Sequence, residues 1–471
     1  MGLMNNHITH VFMRTAVLFL IIGLFPLFHS PGLSARNHPA DTSLTLSLSL
    51  GQARDYALEN SYGMRRAQAD LSIAGKQIRE TTATGLPQIS ASVGYNYYLD
   101  IPTSLVPAEF FGGEPGEFEE IRFGTEHNLT ATASVNQLIF DGQYIVGLRA
   151  ARIYRDLARQ RIQRSQLEIR NTVTETYLLV LLAHENQDIV RQNLRNMEQM
   201  LYETQQMKQE GLTDPINADQ LQLVVSIIGN RLAALERQYK ITLDLLKFQI
   251  GMELDRPLLL TDQLEELHSR STGILEAETL FDHEYHVDYR IARLQENMRL
   301  MELRREQSAF LPSLSASFVR QEMAMRDAFD FFDSQRPWFP STYFAVNLNI
   351  PVFSSGLRSS RTQQARLELE KSHIAREEMR NALLLQKEEA LANYRTAREQ
   401  YQGEKSNLEL AERIYQRTRI MYTEGMATSL ELTQANEQLL TTQANYYSSV
   451  FNVLNAQNDI ERALGRLEGS F

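Results

Sequence analysis

The chain repeats one order of motifs in its two halves. Leu86-Pro87 precedes QISASVGYNYY, and Leu311-Pro312 precedes the similar segment SLSASFVRQ in the second half. Each half then carries a pair of glycines, and the separation of Gly211 and Gly251 equals that of Gly425 and Gly465. A repeat on this scale predicts two copies of one structural unit, which we place at 45–251 and 276–471.

Long stretches without proline predict long helices. Of the 13 prolines, none lies between Pro115 and Pro215 or after Pro351. Helix interiors exclude proline, because its ring breaks the backbone hydrogen-bond ladder. We therefore expect long helices at 142–210 and 357–424 instead of several compact domains.

Shorter helices complete each half of the chain. Their expected ranges are about 50–84, 215–251, 276–310 and 428–465, with 252–275 as an equatorial connector. In each half the two short helices together match the long one, so we expect them to stack end to end along it. Apolar and small residues recur at heptad spacing along the long helices, which predicts coiled-coil packing.

Four segments alternate between apolar and polar residues, which predicts β-strands. They cover about 87–99, 126–139, 312–323 and 342–353. Their polar faces hold Ser, Thr and Asn with almost no charge, whereas a soluble sheet would usually place Lys and Glu there. About ten residues is also the length of a tilted membrane-spanning strand. We therefore interpret them as membrane strands.

Four strands cannot close a barrel alone. Open strand edges cannot face lipid, because their N–H and C=O groups would have no partners. The smallest membrane barrels have about eight strands. Two copies would supply eight strands and three would supply twelve, and the residues alone leave both possibilities open.

The N-terminus predicts export. Arg14 precedes the apolar run Thr15–Phe28, and small residues follow at 33–35. This order is typical of a cleaved secretory signal, and the run is short for a spanning helix. We expect a signal peptide at 1–35 and a linker at 36–44.

The composition argues against several other classes. The formal charge of −11 disfavours a nucleic-acid partner, and the absence of cysteine excludes disulfides and thiolate metal sites. No HExxH, GxSxG, Walker or GxGxxG motif occurs. His283-x-x-His286 has helical spacing for two metal ligands, but an incidental surface pair is the favoured interpretation. We therefore expect no enzyme activity, metal or cofactor.

The ordered motifs resemble the TolC-type outer-membrane efflux proteins. The resemblance covers about 45–465 and is found in LPQISASVGYNYY, QLIFDG, IPVFSSGLR and the EGL and EGM turns. It implies an α+β membrane protein that forms a homotrimer. The three chains would share a 12-stranded outer-membrane β-barrel, with four strands per chain, continuous with a long periplasmic α-helical barrel.

That resemblance also implies a function and a location. The chain would lie in the outer membrane of a Gram-negative-type bacterium, among its lipids, and extend into the periplasm. It would be the passive exit duct of a tripartite efflux pump for small molecules, with a periplasmic adaptor linking it to an inner-membrane transporter. A duct for type I protein secretion is one alternative, and a non-conducting coiled-coil structural protein is another.

Site residues are carried over from the same resemblance. Acidic rings narrow the pore after the second-half turn in that family, which places Glu431 at the constriction. Gln434 stands at the second acidic position and departs from the pattern. Asn217 and Asp219 are the first-half counterparts. Glu431 also fits a helix-capping box with Thr428, and both roles are compatible.

Adaptor docking would use the two turns at 209–214 and 423–429. The residues assigned to it are Gly211, Leu212, Asp214, Gly425 and Met426. The alternative is that these turns are ordinary solvated helix connections.

Overall fold

The structure is a computed structural model that describes residues 45–270 and 281–465. The predicted signal and linker lie outside the described residues, as do 271–280 and 466–471. The end of the connector and the start of the predicted helix at 276 therefore fall outside them too.

Groups of helices and groups of strands follow one another along the chain. The helices are α1 (Leu50–Asn60), α2 (Tyr62–Ala83), α3 (Gly142–Gln209), α4 (Pro215–Ile250), α5 (Leu264–Arg270), α6 (Val287–Ser308), α7 (Leu357–Thr423) and α8 (Ser429–Ala463). The strands are β1 (Leu46–Leu48), β2 (Gln88–Tyr97), β3 (Thr103–Pro107), β4 (Phe118–Arg122), β5 (His127–Phe140), β6 (Leu258–Leu260), β7 (Ser313–Arg326) and β8 (Phe339–Asn349). Within the two described ranges, no helix is both long and apolar enough to cross a bilayer.

The helices form a layer whose order changes along α3. Towards the turns that end α3 and α7, the neighbours run α4–α3–α8–α7. Towards the strands, the neighbours run α2–α3–α6–α7. Two short helices therefore stack end to end along each long helix, and α7 lies at one side of the layer at both levels.

The largest sheet has the order β2-β5-β7-β8, with all pairs antiparallel. Ile89 pairs with Val135 and Val93 with Ala131, whereas Ser92 pairs with Thr132. Directly paired side chains share a face of the sheet. One face of β2 and β5 is therefore apolar and the other is lined by small polar side chains.

The second-half strands differ from the expected pattern. β7 continues to Arg326, and Arg320 and Glu322 lie opposite Ala133 and Ala131 on the otherwise apolar face. Arg320 donates a hydrogen bond to Glu322 at 2.5 Å, so the two charges offset each other there. β8 starts at Phe339 and ends at Asn349, before the predicted end at 353. Pro351 follows, and proline cannot donate to a strand ladder.

The expected helix at 50–84 is split at Ser61. Ser61 has an extended backbone, and its hydroxyl accepts a hydrogen bond from Met64 N at 3.3 Å, which starts α2. Gly251, at the end of α4, packs against this break. The helix is interrupted at Ser61 because the C-terminal end of α4 packs against the chain there.

The second half has a cap at the corresponding position. His286 lies as far after Ser61 along the chain as Leu311 lies after Leu86. It caps the start of α6, where its Nδ1 accepts from Asp288 N at 3.2 Å. Gly465, at the end of α8, packs against the His286 ring. Burial lowers the pKa of His286, although Asp288 acts in the opposite direction.

A connector packs across the middle of the helices. β1 pairs in parallel with β6, and the Tyr177 hydroxyl donates to Leu48 O at 3.0 Å and lies 2.9 Å from Asp262. Asp262 also accepts from Leu50 N at 2.7 Å. The fully buried Tyr177 and Leu246 belong to the apolar core beneath it.

Gly251 offers a direct test of the closure between α4 and Ser61. Its φ is 78°, and a Cβ there would lie 2.3 Å from Asn60 O. Gly251→Ala should therefore lower the free energy of unfolding by more than the ~1–2 kcal/mol cost of left-handed backbone alone. Gly51→Ala is the control, because a Cβ at Gly51 meets nothing within 4 Å. Equal thermal midpoints for the two variants would contradict this account.

Candidate functional site: the helix-turn tip

Two similar turns form the tip of the helical layer, which we define as residues 210–214 and 424–428. In the first turn, Gly211 has a φ of 74°, and Leu212 N donates to Met207 O at 2.8 Å. In the second turn, Gly425 has a φ of 71°, and Met426 N donates to Met421 O at 2.7 Å. Both turns thus end a long helix with a glycine-dependent Schellman motif.

The returning helices start with different caps. The Asp214 carboxylate accepts from Ile216 N at 2.9 Å, with Pro215 at the first helical position of α4. Thr428 and Glu431 form a reciprocal capping box at the start of α8. The two helix N-termini therefore begin rigidly and side by side, since α4 and α8 also contact each other.

Glu431 is exposed, and its carboxylate is oriented by the cap. Its Oε2 accepts from Thr428 N at 2.8 Å and from Thr428 Oγ1 at 3.0 Å. The backbone hydrogen bond from Thr428, followed by its hydroxyl, lowers the pKa of Glu431 below the usual glutamate value. The side chain thus stays ionised at neutral pH in the first turn of α8.

The other three residues assigned to the constriction have separate surroundings. Gln434 is exposed one turn after Glu431. Asp219 is also exposed and lies 3.4 Å from Lys208 Nζ, at the end of α3. Asn217 is half-buried and accepts from the Ser429 hydroxyl at 2.7 Å. Asn217 is therefore brought to the start of α8, whereas Asp219 is held within its own helical hairpin.

Polar contacts from both hairpins join the α3/α4 hairpin to the α7/α8 hairpin near the tip. Asn193 Nδ2 donates to Asn436 Oδ1 at 2.5 Å, and Asn436 Nδ2 lies 3.3 Å from Asn193 Oδ1. Thr204 and Tyr422 share a hydrogen bond of 3.0 Å between their hydroxyls. Ser429 of α8 contacts both Asn217 and Gln220 of α4. Apolar packing surrounds them, so these contacts select how the hairpins align.

The paired asparagines are absent from the site residues predicted by the sequence. Asn193 and Asn436 are 6% and 0% exposed. Apolar residues recur at heptad spacing along α3 at Leu194, Met197 and Leu201, and Thr204 takes the next position in that seam, whereas Asn193 lies beside it. A polar residue at a heptad position is a signal for specific pairing, although it does not name its partner.

The residues assigned to adaptor docking are accessible in the chain. Leu212 is 72% exposed and Met426 is 66% exposed, and each follows its turn glycine directly. The glycine backbone fixes the turn, and the cap at Asp214 fixes the next helix. The tip therefore displays two apolar side chains on rigid supports.

The two histidines of the His283-x-x-His286 motif have separate contacts. His283 packs edge-on against Tyr289 at 4.8 Å between ring centroids, and His286 is buried as the cap of α6. Across residues 45–270 and 281–465, no three His, Cys, Asp or Glu side chains are grouped to hold a metal ion.

Known proteins match the chain over most of its length. The outer membrane efflux protein family matches residues 53–251 and 286–466. The cation efflux system protein CusC of Escherichia coli O157:H7 is 21% identical over 390 residues, which cover 82% of this chain and 79% of that protein.

Solved structures share the fold at low sequence identity. The outer membrane protein VceC from Vibrio cholerae is 17% identical with a TM-score of 0.64, covering 89% of this chain and 97% of its own. The Campylobacter jejuni CmeC outer membrane channel is 15% identical with a TM-score of 0.66, covering 88% and 85%. A CusC structure is 16% identical with a TM-score of 0.67, covering 90% and 96%.

The architecture is therefore the α+β, mostly helical fold of outer-membrane efflux channels. The chain belongs to the outer membrane efflux protein family, since that family matches most of it in two segments. This finding confirms the resemblance to TolC-type proteins. The similar proteins are channels and not enzymes.

The buried asparagine pair can be tested by substitution. Asn436→Leu should destabilise the protein by about 1–3 kcal/mol, because the Asn193 amide is left buried without a partner. The double variant Asn193→Leu/Asn436→Leu should recover much of that loss, since both polar groups are removed. Urea unfolding at fixed protein concentration measures both effects.

Asn196→Ala is the control for this pair, because Asn196 is exposed on the same helix. It should change the free energy of unfolding by less than about 0.5 kcal/mol. Strictly additive losses in the double leucine variant would show that the two amides do not depend on each other.

Proposed function

We propose that three copies of this chain form the passive outer-membrane exit duct of a tripartite efflux pump for small molecules. The observation that supports this most directly is that the sheet and the helical layer each end in two sides that no other element of the described chain covers. A ring of copies would close all of them at once.

The sheet provides the first pair of open sides. Within the described chain, β2 and β8 each pair with one strand only. With four antiparallel strands, β2 and β8 run in opposite directions, so β8 of one copy can pair antiparallel with β2 of the next. Repeating a head-to-tail contact of this kind generates a ring.

The helical layer provides the second pair. α7 lies at one side of the layer, and α2 and α4 lie at the other. On α4, Leu223 and Ile241 are 62% and 63% exposed, and Ile227 and Leu245 are exposed as well. On α7, Leu367 and Ile374 are exposed one heptad apart. Apolar stripes at helical spacing require a packing partner.

Two considerations support three copies: the width of the lumen and the resemblance to TolC-type proteins. Eight strands would fill a barrel with side chains, whereas a larger number leaves an open lumen. Three copies supply twelve strands, and the small polar side chains on one face of β2 and β5 would line a water-filled interior. The trimer implied by the TolC-type resemblance agrees with this count.

We further propose roles for the two ends of the duct. The outer-membrane barrel would be the sheet, with the tip in the periplasm. There, Glu431 would face the constriction with Gln434, Asn217 and Asp219 near it. Gly211, Leu212, Asp214, Gly425 and Met426 would contact a periplasmic adaptor, which would link the duct to an inner-membrane transporter that supplies the energy.

Closure can be tested by disulfide cross-linking, because the chain has no cysteine of its own. Ile89→Cys in β2 should be combined in turn with Leu348→Cys, Val346→Cys or Phe344→Cys in β8. At least one pair should give covalent dimers and trimers on oxidation, whereas each single-cysteine variant should give no trimer. A series that stops at the dimer would exclude a three-copy ring.

A functional duct must conduct ions in addition to forming a closed ring of copies. The purified trimer should conduct ions in planar bilayers. A cross-linked trimer with no conductance, even with altered tip residues, would favour a structural coiled-coil protein over a channel.

Two variants separate the pore charge of Glu431 from its role as a cap. Glu431→Gln keeps a capping box but removes the charge, so it should raise single-channel conductance and weaken block by divalent cations. Thr428→Ala weakens the cap and keeps the charge, so cation block should persist. If Glu431 acted only as a cap, the Glu431→Gln channel would have the same single-channel conductance and the same block by divalent cations as the unmodified protein.

A further inference from the structure

A cavity of about 390 Å³ lies beneath the connector, away from the tip. Its walls come from α3, from Tyr239 of α4, from the connector at 259–265 and from Tyr447 of α8. A volume of this size is within the ~300–1,000 Å³ range of small-molecule sites. The cavity depends on no contact with another copy of the chain, since these walls all belong to one chain.

The cavity has an excess of negative charge. Its lining includes four carboxylates: Glu185, Asp188, Asp262 and Glu265. The one lining side chain able to carry a positive charge is His184, whose Nδ1 lies 3.2 Å from Asp188 Oδ2. Outside the lining, Arg191 pairs with Asp188, and Arg270 lies 3.8 Å from Asp262, so the excess of negative charge is greatest at Glu185 and Glu265.

Three of the four carboxylates already have partners. Asp188 accepts from Arg191 at 2.5 Å. Asp262 accepts from Leu50 N and the Tyr177 hydroxyl, and Glu265 accepts from the Tyr446 hydroxyl at 3.1 Å. These contacts fix the walls of the cavity in place.

Glu185 is the exception. Within residues 45–270 and 281–465 it has neither a hydrogen bond nor a salt bridge, although it is half-buried. Burial raises the pKa of Glu185, and the nearby carboxylates of Asp188 and Glu265 raise it further against the opposing effect of His184. A cation placed in the cavity would relieve this cost.

Aromatic and apolar groups complete the lining. The Tyr239 ring packs edge-on against His184 at 5.6 Å, and Tyr447 lines the side formed by α8. Burial and the neighbouring carboxylates, Glu185 first among them, raise the pKa of Tyr447 to about 12. Val180 and Leu181 form an apolar part of the wall. Neutral tyrosine rings beside carboxylates suit an ammonium group attached to an alkyl chain.

We propose that this cavity binds a small organic cation of the alkylamine or polyamine class, with Glu185 as its main ionic contact. Asp188 and Glu265 add to the negative potential, and Tyr239 and Tyr447 contact the alkylammonium chain. An organic cation is favoured over a metal ion, because no group of ligating side chains suited to a metal occurs in the described residues. The proposal does not depend on the chain acting as a duct.

Isothermal titration of the full-length protein in neutral detergent with spermidine tests this site. The unmodified protein should show saturable binding. Glu185→Gln should weaken it about tenfold or more, because a hydrogen bond to a charged group is lost. Glu198→Gln is the matched control: Glu198 is exposed on the same helix and does not line the cavity.

A second variant tests whether loss of spermidine binding arises in the cavity itself and not from a change in the fold. Glu185→Lys would place an ammonium group in the cavity and should abolish spermidine binding, while helix content and thermal midpoint are retained. Magnesium chloride at matched ionic strength should not displace spermidine. Absent binding, equal binding by Glu185→Gln, or displacement by magnesium would each overturn the proposal.

Discussion

The sheet of one chain ends in two strands whose outer backbone groups find no partner within the described chain. Leaving an N–H or C=O group without a hydrogen-bond partner in hydrocarbon costs about 4–8 kcal/mol. The helices are open on the same two sides. α2 leads directly into β2 and packs on α3 as α4 does, whereas α7 directly follows β8. The proposed ring follows from the need to satisfy all of these sides together.

Within one chain, the two hairpins are held together by a different kind of interaction. Long helices with apolar seams can slide past one another by a turn at small cost, because one leucine packs much like the next. The Asn193–Asn436 pair and the Thr204–Tyr422 bond have partners at only one register. They therefore specify the alignment at the tip, where the caps of α4 and α8 place Asn217 and Glu431.

Local chemistry accounts for the features that the sequence predicted well. The long helices α3 and α7 lie where proline is absent, and the Schellman glycines end them. The capping box of Thr428 and Glu431 occurs as its spacing predicts. Each of these depends on near neighbours along the chain, so the local segment contains the whole interaction.

Contacts between distant segments account for the differences. The break at Ser61 depends on Gly251, which lies far along the chain at the end of α4. The roles of Glu431, Gln434, Asn217 and Asp219 at a constriction remain proposals, since they involve other copies of the chain. The acidic cavity was not foreseen, because its walls come from four elements that only packing brings together.

The sequence by itself indicated the long helices, the four strands of the largest sheet and the helix caps, because periodicity, proline and capping act locally. The tertiary structure decided which edges stay open, which polar groups pair between hairpins and where Glu185 is left without a hydrogen bond or salt bridge. Those outcomes depend on close approach between residues that are far apart in the chain, and a linear pattern does not record which of them will meet.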